Sequence, residues 1–436
     1  MSDNPIEEVN SLGVEAELDR IECLAEQSVR WALSDILRKE LNEGSHHDIL
    51  EALLSGLRRN ILVAEIVLDR HDFVRALTEE QLAKLFNEIG SLHGLTKLSL
   101  EFLQQPGSPI CIPIISFASA LGAANQCNST LLQSLEVTGV HLQGSPQDFQ
   151  HFLRVLQTKC DALLEVKFRN LTLDRDDHQF EKFLAALSDL PNIQEIFFLD
   201  ANRIVHDWTM SDPSGQVALE RLCQTPSLKT LCFMFPLGEE QIISMAKVLE
   251  DNTTLERLAL FRCSINNNGC TALANMLERN STLQILRLDD NCIGDIGATN
   301  LAHALCSNKS LRILDLKGNS DIHQCGYQAL CHMLEYENFA LMGLDTDAQT
   351  TTTRNCVDSS AASTTSTSSS LCLTDNEYDE VGNRIGFYVH LNEQARKVFL
   401  RHANNRDLFL GCFFTFRDDL DFLYYYLGAN PAMCQV

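Results

Sequence analysis

The chain has 436 residues, of which 45% are hydrophobic, and this composition is ordinary for a folded protein of two to three domains. Its 59 acidic against 34 basic residues argue against nucleic-acid binding, which needs a basic surface to neutralise phosphates. The acidity permits a basic protein partner, although solubility alone would also account for it. The apolar run Cys111–Ala124 is too short to span a bilayer at about 20 residues and is predicted to be a buried helix.

The beginning of the chain and its cysteines indicate a reducing compartment. The first residues, MSDNPIEEVN, are acidic and lack the charged-then-apolar pattern of a secretory signal. The 16 cysteines include no C-x-x-C pair and are expected to be free thiols that act as small buried hydrophobes. We therefore expect a cytoplasmic location, with the nucleus as the alternative.

Residues 1–61 are predicted to form an N-terminal helical cap. Two helical patterns support this interpretation, one at Ile21, Leu24, Val29, Ala32, Ile36 and Leu37 and the other at Ile49, Leu53 and Leu57. A cap of this kind covers the first of the repeats that follow, and a partner-binding helix is the alternative.

From Val63 onward the chain is built from repeats. The pattern L-x-x-L-x-L returns every 28 residues, beginning at Leu255, Leu283, Leu311 and Phe339, and weaker copies begin at Val63, Leu95, Leu132, Leu163, Ile193 and Leu228. The alternation of Leu286 with Leu288 predicts a strand, and the four-residue spacing of Leu301 and Leu305 predicts a helix. Strands joined by helices in one sense form a parallel sheet with helices outside it. Residues 62–345 are therefore predicted to be an array of about ten repeats.

Asparagines mark two places in each repeat. Asn252, Asn280 and Asn308 stand three residues before a strand's first leucine and are predicted to close helices, rather than to act as glycosylation sites. Asn291 and Asn319 follow the strands, where an asparagine side chain can bond open backbone groups, and Cys263 takes their place one repeat earlier.

This pattern resembles the ribonuclease-inhibitor type of leucine-rich repeat, L-x-x-L-x-L-x-x-N-x-L-x-x-x-G-x-x-x-L-x-x-x-L. The resemblance covers roughly Val63–Asp345 and is most specific over Leu255–Leu334, whereas upstream the asparagine position holds Pro236, Ala201, Leu171 and Val140. It implies the α/β class, as a right-handed leucine-rich-repeat solenoid or horseshoe. In that fold a parallel sheet lines the concave side, helices lie outside, and helical caps close both ends.

After the array the composition changes twice. Residues 346–384 are rich in Ser and Thr and are predicted to be a disordered linker, because they contain too few apolar residues to fold. Residues 385–436 are apolar and aromatic and are predicted to form a C-terminal helical cap. Within them, FYVHLNEQARK and LYYYLGANPAMC resemble the terminal segment that follows leucine-rich repeats in proteins of microalgae.

The sequence contains no motif for catalysis, so we predict a protein that is not an enzyme and needs no cofactor. The P-loop, G-x-S-x-G and H-E-x-x-H patterns are absent. His323 with Cys325, and Cys331 with His332, lack a spacing that would bring them together on one helix face, so no metal site is predicted.

The predicted binding surface is the concave strand face. The fifth position of successive repeats holds Ser99, Glu136, Lys167, Phe197, Cys232, Ala259, Arg287 and Asp315, and the seventh holds Glu101, Thr138, Arg169, Leu199, Met234, Phe261, Asp289 and Lys317. An apolar centre with a polar rim is typical of protein-binding hot spots. We predict a site made of Phe197, Leu199, Met234 and Phe261 with the charged residues Lys167, Arg169, Arg287 and Asp289. Burial of this patch under the connection 199–215 is the alternative.

The predicted function is a non-catalytic scaffold that binds a protein partner, for which the acidity of the chain permits a basic charge, but neither nucleic acid nor membrane. The resemblance implies two alternatives, a GTPase-activating regulator of the nuclear-transport GTPase and a ribonuclease inhibitor. The chain lacks a long acidic tail after the array, which the first of these relatives has. Oligomeric state is not predicted.

Overall fold

The computed structural model describes residues 17–26, 28–37, 45–60, 62–102, 109–123, 131–173, 179–199 and 213–347, together with 381–382, 384–386, 388–389 and 392. The chain divides into two compact units, the first reaching Thr230 in sequence and the second continuing from Leu231.

Unit 1 alternates strands with helices along the chain. Its elements are α1 (17–26), β1 (Arg30–Ala32), α2 (Leu33–Ile36), α3 (His46–Arg59), β2 (Glu65–Leu68), α4 (His71–Ala76), α5 (Glu79–Ser91), β3 (Lys97–Glu101), β4 (Ile110–Pro113), α6 (Ile114–Ala118), a π-helical turn (Ser119–Ala123), β5 (Ser134–Thr138), β6 (Val140–Gln143), α7 (Pro146–Lys159), β7 (Glu165–Arg169), β8 (Thr172–Leu173), α8 (Gln179–Ser188), β9 (Glu195–Leu199) and α9 (Pro213–Cys223).

The strands of unit 1 pair in parallel in the order that the repeats predict. The main sheet has the order β1-β2-β3-β5-β7-β9, and β4, β6 and β8 form a smaller parallel sheet. The second apolar positions of the predicted motifs stand side by side and are buried, at Ile66, Leu98, Leu135, Val166 and Ile196. The parallel α/β architecture predicted from the repeats is confirmed in this unit.

The N-terminal helical pattern is interrupted by a strand. β1 lies between helices α1 and α2 and pairs with β2, with Trp31 beside Ile66 in the core. The prediction of one helical pattern from Ile21 to Leu37 was therefore wrong at Val29–Ala32. The physical reason is that the neighbouring strand supplies backbone partners that outweigh local helical spacing, and Val29 is left exposed.

The apolar run Cys111–Ala124 is a helix only in part. Strand β4 occupies its beginning, Pro113 ends that strand, and α6 follows at once. Proline suits both positions, because it lacks the N–H that a continuing strand needs and its fixed φ fits the entry to a helix. Ile114, Phe117 and Leu121 are buried, as the predicted buried helix requires.

Unit 2 contains the most regular repeats. Its elements are β10 (Thr230–Met234), α10 (Glu239–Leu249), β11 (Arg257–Leu260), α11 (Asn267–Arg279), β12 (Ile285–Arg287), α12 (Asp295–Ser307), β13 (Ile313–Asp315), α13 (Gln324–His332), a π-helical turn (Met333–Glu337) and β14 (Gly343–Asp345). Strands β11 to β14 pair in parallel in chain order. The predicted fold class is confirmed in this unit as well.

The last repeat is longer than the 28-residue period. Leu286 pairs with Leu314, 28 residues on, but Leu314 pairs with Leu344, which is 30 residues on. One extra residue lies before α13, since Gly326 occupies the place of Gly297 but follows it by 29 residues, and the π-helical turn after α13 accommodates the other. The motif therefore begins at Leu341, which is fully buried, and the prediction of Phe339 was wrong.

Buried asparagines connect the helix ends of successive repeats. Asn308 Nδ2 donates to the carbonyls of Leu277 (2.7 Å) and Asn280 (2.9 Å), and its Oδ1 accepts from the N–H groups of Ser310 and Leu311. Asn280 and Asn338 make the same four kinds of bond in their own repeats. These side chains satisfy carbonyls that a helix end leaves open. Asn280 and Asn308 end helices α11 and α12, as predicted. Their backbone is extended, however, and not in the left-handed conformation that the prediction assumed.

A second asparagine ladder runs behind the strands. Asn291 Nδ2 donates to the carbonyls of Leu260 and Leu288, while its Oδ1 accepts from Ile265 N–H. Asn319 repeats this arrangement one repeat later. In the repeat before, the Cys263 thiol lies 3.3 Å from the carbonyl of Phe261, so a weak donor replaces the amide as predicted.

The starts of helices α12 and α13 are also capped from the preceding repeat. Asn267 Oδ1 accepts from the N–H groups of Gly294 and Gly297, and Asp295 Oδ1 accepts from those of His323 and Gly326. Such acceptors satisfy the open N–H groups of a helix start and complement its positive dipole end. Capping between repeats thus couples neighbouring helices.

Replacing Asp295 with Ala is expected to lower the free energy of unfolding by about 1–2 kcal/mol, because two helix N–H groups lose their acceptor. Asp295→Asn keeps an oxygen acceptor at this position, as Asn267 has one repeat earlier. Its loss of unfolding free energy should therefore be less than half that of Asp295→Ala. Urea denaturation of the full chain, followed by circular dichroism, measures both. Equal losses for the two variants would contradict this role of the side-chain oxygen.

The described residues 381–392 lie against the last repeat. Arg384 forms an ion pair with Glu335 at 2.8 Å, and Ile385 is fully buried. Asn392 Nδ2 donates to the carbonyls of Asn338 and Leu341. These contacts cover open backbone groups of the final repeat. The remainder of the predicted linker, 348–380, and of the predicted cap, from 393 onward, lies outside the described residues.

Candidate functional site

In unit 1 the residues predicted to face away from the core stand in two rows. Strand pairing places Lys167 beside Phe197, and Arg169 beside Leu199. Alternation along a strand sends these side chains to the face opposite the buried Val166 and Phe168. All four predicted unit 1 residues are at least partly exposed.

The two rows of unit 1 combine charge with apolar surface. Lys167 Nζ lies 5.4 Å from the centre of the Phe197 ring and 2.5 Å from Glu165 Oε1. A cation over an aromatic face contributes about 0.5–1 kcal/mol at an exposed site. Lys167 is therefore held in place by its neighbours on both sides, while Arg169 is exposed.

In unit 2 the side chains that face away from the core are named here the unit 2 strand face. It comprises Arg257, Ile285 and Ile313 in a first row, Ala259, Arg287, Asp315 and Asp345 in a second row, and Met234, Phe261, Asp289 and Lys317 in a third row. The second and third rows are those predicted from the motif. Cys232, also predicted on this face, is buried.

Arg287 organises the centre of the unit 2 strand face. Its Cζ lies 4.6 Å from the centre of the Phe261 ring. Its Nη2 donates to Asp315 Oδ2 at 2.9 Å, and its Nε lies 3.6 Å from Asp289 Oδ1. The guanidinium is the group best suited to stack on a ring and serve two carboxylates at once. Three of its neighbours thereby fix a side chain that is still 46% exposed.

Asp289 is in an unfavourable environment for a carboxylate. Burial, and secondly the charge of Asp315, raise its pKa to about 6 despite the nearby Arg287. Its Oδ1 is buried and has no hydrogen-bond partner among the described residues. A buried acceptor without a donor costs about 1–3 kcal/mol. The ionised Asp289 carboxylate therefore lowers the stability of the folded chain.

Burial raises the pKa of the Cys232 thiol to about 12, so it carries no reactive thiolate at neutral pH. Within the described ranges, no three His, Cys, Asp or Glu side chains are grouped so that they could hold a metal ion. What the face offers is half-exposed apolar surface beside charged groups.

The first row of the unit 2 strand face was not predicted from the sequence. Ile285 and Ile313 stand side by side there, and Ile313 is 38% exposed. The third position of the motif alternates with the buried positions in the same way as the fifth and seventh. The sequence alone could therefore have assigned Ile285 and Ile313 to this face. Gly343 follows in the same row and adds no side chain.

The predicted single patch joins residues of two units. Phe197 and Leu199 belong to unit 1, and Met234 and Phe261 belong to unit 2. Their union in one binding site stays a prediction. The connection proposed as an alternative cover lies mainly at 200–212, outside the described residues.

The repeat geometry agrees with the family comparison. A model of the leucine-rich repeat matches residues 251–274 and 279–302, which cover strands β11 and β12 with most of the helices that follow them. These stretches of the chain are leucine-rich repeats. The ribonuclease-inhibitor subtype stays a prediction, and among curated proteins none matches the chain.

Solved structures similar to this chain include three at low identity. The first is the actin-binding site 2 of leiomodin-1, with 22% identity, a TM-score of 0.28, and coverage of 38% of this chain and 82% of that one. The tropomodulin C-terminal domain of Caenorhabditis elegans has 13% identity, a TM-score of 0.31, and coverage of 44% and 99%. The yeast complex of Rad7 and Elc1 has 14% identity, a TM-score of 0.38, and coverage of 78% and 84%. In the described part of the chain, no helix combines the length and apolar character needed to cross a membrane.

Proposed function

We propose that this leucine-rich repeat protein is a non-catalytic interaction scaffold that binds a protein partner on its strand face. The observation that carries the proposal is Arg287, held over the Phe261 ring and between Asp289 and Asp315 on a face with half-exposed apolar side chains. Ordered arginine and aromatic side chains are the residues in which binding energy concentrates at protein interfaces.

The arrangement supports binding because the Arg287 side chain is already ordered in the unbound protein. Arg287 is a long side chain that would otherwise lose rotamer freedom when a partner immobilises it. Here the Phe261 ring and two carboxylates hold it before any partner arrives. A preorganised centre of this kind, with Met234 and Ile313 half-exposed on the same unit 2 strand face, suits a protein surface better than a small molecule.

The unit 1 residues extend the proposal. Lys167, Arg169, Phe197 and Leu199 present the same combination of cation and apolar side chain on two paired strands. We assign them to partner binding as a second contact region. Their effect is measurable separately, with substitutions confined to unit 1.

Phe261→Asp is expected to abolish capture of the partner, because a charge replaces the ring that supports Arg287. The experiment is affinity capture from lysate with the tagged full chain, followed by quantitative mass spectrometry. The matched control is Ile243→Asp, because Ile243 is a 42% exposed apolar side chain on helix α10, away from the strand face. Thermal unfolding checks that both variants are folded.

The expected result is at least one protein recovered with wild type and Ile243→Asp but reduced more than tenfold with Phe261→Asp. A loss of this size corresponds to about 1.4 kcal/mol, less than a hot-spot residue usually contributes. Identical recovery with both variants, each folded, would overturn the proposal for unit 2. Phe197→Asp applies the same comparison to unit 1.

A further inference from the structure

The series of buried asparagines at the helix ends continues past the last described strand of unit 2. In the regular repeats the asparagine Nδ2 donates to the carbonyl of the asparagine one repeat earlier, as Asn338 does to Asn308 at 3.0 Å. Asn392 Nδ2 donates in the same way to the carbonyl of Asn338, also at 3.0 Å. Its second bond, at 2.8 Å, goes to the carbonyl of Leu341. Asn392 therefore takes the place of the next asparagine in the series.

The residues before Asn392 repeat the buried positions of a regular helix. Ile385 and Tyr388 are buried and stand at the seventh and the fourth place before Asn392. Leu301 and Ala304 are buried at the same two places before the asparagine that ends α12. The described part of the C-terminal segment thus supplies the helix of one more repeat.

The Asn392 side chain lacks the bonds that the other asparagines accept. Their Oδ1 accepts from the N–H groups at the second and third places after the asparagine, at 2.8 and 2.9 Å for Asn338. Asn392 is 5% exposed, and its Oδ1 has no hydrogen-bond partner among the described residues. A buried acceptor without a donor is unfavourable. The N–H groups at the equivalent places belong to Gln394 and Ala395.

The sequence after Asn392 carries the strand motif at the same distance as in the regular repeats. There the motif begins at the third place after the asparagine. Ala395 stands at the third place after Asn392, and Ala395, Val398 and Leu400 fill the apolar first, fourth and sixth positions. Strand β14, which pairs with β13, is the last described strand of unit 2. The strand of a further repeat belongs on the edge of β14 that faces away from β13.

We propose that this edge of β14 is a docking site for the chain's own segment Ala395–Leu400, named here the docking segment, which adds a parallel strand and closes the array. The proposal is independent of the proposed function. Because the docking segment starts at the third place after the buried Asn392, its effective concentration at the edge exceeds that of any second molecule. An open strand edge is a template for pairing with another chain, so docking also protects the protein from self-association. In the same register Phe399 stands beside Asp345 and lengthens the unit 2 strand face.

The backbone bonds of the regular strands identify the amides that docking protects. At the sixth motif position the N–H group donates to the next strand, as Leu316 does to the carbonyl of Asp345 at 2.8 Å. The equivalent donor on β14 is Thr346, which donates to the docking segment. At the third position the N–H group donates back to the preceding strand, so Lys397 donates to the carbonyl of Met342. Hydrogen exchange of the full chain, read at single residues by mass spectrometry, should be about 100-fold slower at both amides than in the urea-unfolded chain.

Two neighbouring substitutions separate docking from other effects. Val398→Asn puts an amide at a position that docking buries, and the matched control Phe399→Asn puts the same amide on the strand face. Exchange at Thr346 should become faster by about tenfold or more in Val398→Asn and stay within about twofold of wild type in Phe399→Asn. The amide of Leu286, on β12, should exchange as in wild type in both variants, which shows that the array is folded. If Val398→Asn unfolds the array, Val398→Ala and Phe399→Ala replace the pair.

Three results would overturn the proposal. The first is exchange at Thr346 or Lys397 in wild type at the rate of the unfolded chain. The second is an equal effect of the two substitutions on Thr346, including no effect of either, because the segment would then not dock on β14 with Val398 inward. The third is slower exchange at Thr346 as protein concentration rises, because a second copy of the chain would then occupy the edge.

Discussion

Replacing Asn308 with Ala is expected to lower the free energy of unfolding by about 3 kcal/mol. The residue is 5% exposed and makes four hydrogen bonds, two through Nδ2 and two through Oδ1. Each intramolecular bond contributes about 1 kcal/mol, and each buried group left without a partner costs about 1–3 kcal/mol. Alanine leaves two carbonyls and two N–H groups of adjacent repeats open, and water that enters can satisfy only part of them.

The control for this prediction is Asn268→Ala. Asn268 is exposed on the first turn of α11, and among the described residues its side chain bonds the exposed Glu239 alone. Its replacement should change stability by less than about 0.5 kcal/mol, as is usual for surface sites. Urea titrations of the full chain measure both variants. A loss below about 1 kcal/mol for Asn308→Ala would show that the asparagine ladder is not a main source of stability in unit 2.

Replacing Asp289 with Asn is expected to stabilise the protein at pH 7.5 by about 1–2 kcal/mol. Burial and the neighbouring Asp315 raise the pKa of Asp289 to about 6, whereas an unfolded Asp titrates near 3.9. The full shift would correspond to about 3 kcal/mol, and we discount it because the side chain is 21% exposed and partly screened by water.

The sign of the pH dependence follows from proton binding. Between pH 4 and 6 the folded chain holds a proton on Asp289 that the unfolded chain has lost, so wild-type stability falls as pH rises through this window. Asn does not titrate. The advantage of Asp289→Asn should therefore be near zero at pH 4, grow up to about pH 6, and stay constant above it.

Urea unfolding at pH 4, 5, 6 and 7.5 measures this difference, with Asp251→Asn as the control for removing one exposed surface charge. If Asp289→Asn were more stable than wild type by the same free energy at every pH, removal of the Asp289 charge would not be the cause. A variant that is more stable but captures less of the partner from lysate would show stability given up for binding, as is common at functional sites.

The strand positions in this fold were predictable because each repeat buries the same three motif positions. The leucines at 258, 286 and 314 are all buried and stand in register, as the period requires. Counting by the period failed at Phe339, because one residue is added before α13 and a π-helical turn after it holds another. It also failed at β1, where the pairing of Trp31 with Ile66 places Ser28 and Trp31, not leucines, at the first and fourth motif positions.

The candidate site was predictable in its placement but not in its energetics. Alternation along a strand assigns Arg287 and Asp289 to the strand face from sequence alone. The raised pKa of Asp289 and its unbonded Oδ1 depend on how deeply the carboxylate lies and on Asp315 across the sheet. The motif determines neither how deeply the Asp289 side chain is buried nor how far it lies from Asp315. The union of Phe197 with Phe261 in one patch depends on how the two units are arranged, which the motif does not specify either.

The most direct test of partner binding on the strand face is photo-crosslinking from single positions of the full chain. The photoreactive amino acid p-benzoylphenylalanine replaces Phe261 in one sample and Ile243 in another, and partners in lysate are crosslinked by light and identified by mass spectrometry. The strand face predicts a specific partner adduct from position 261 and none of the same mass from position 243, on the exposed face of α10. The same adduct from both positions, or from position 243 alone, would contradict binding at the unit 2 strand face.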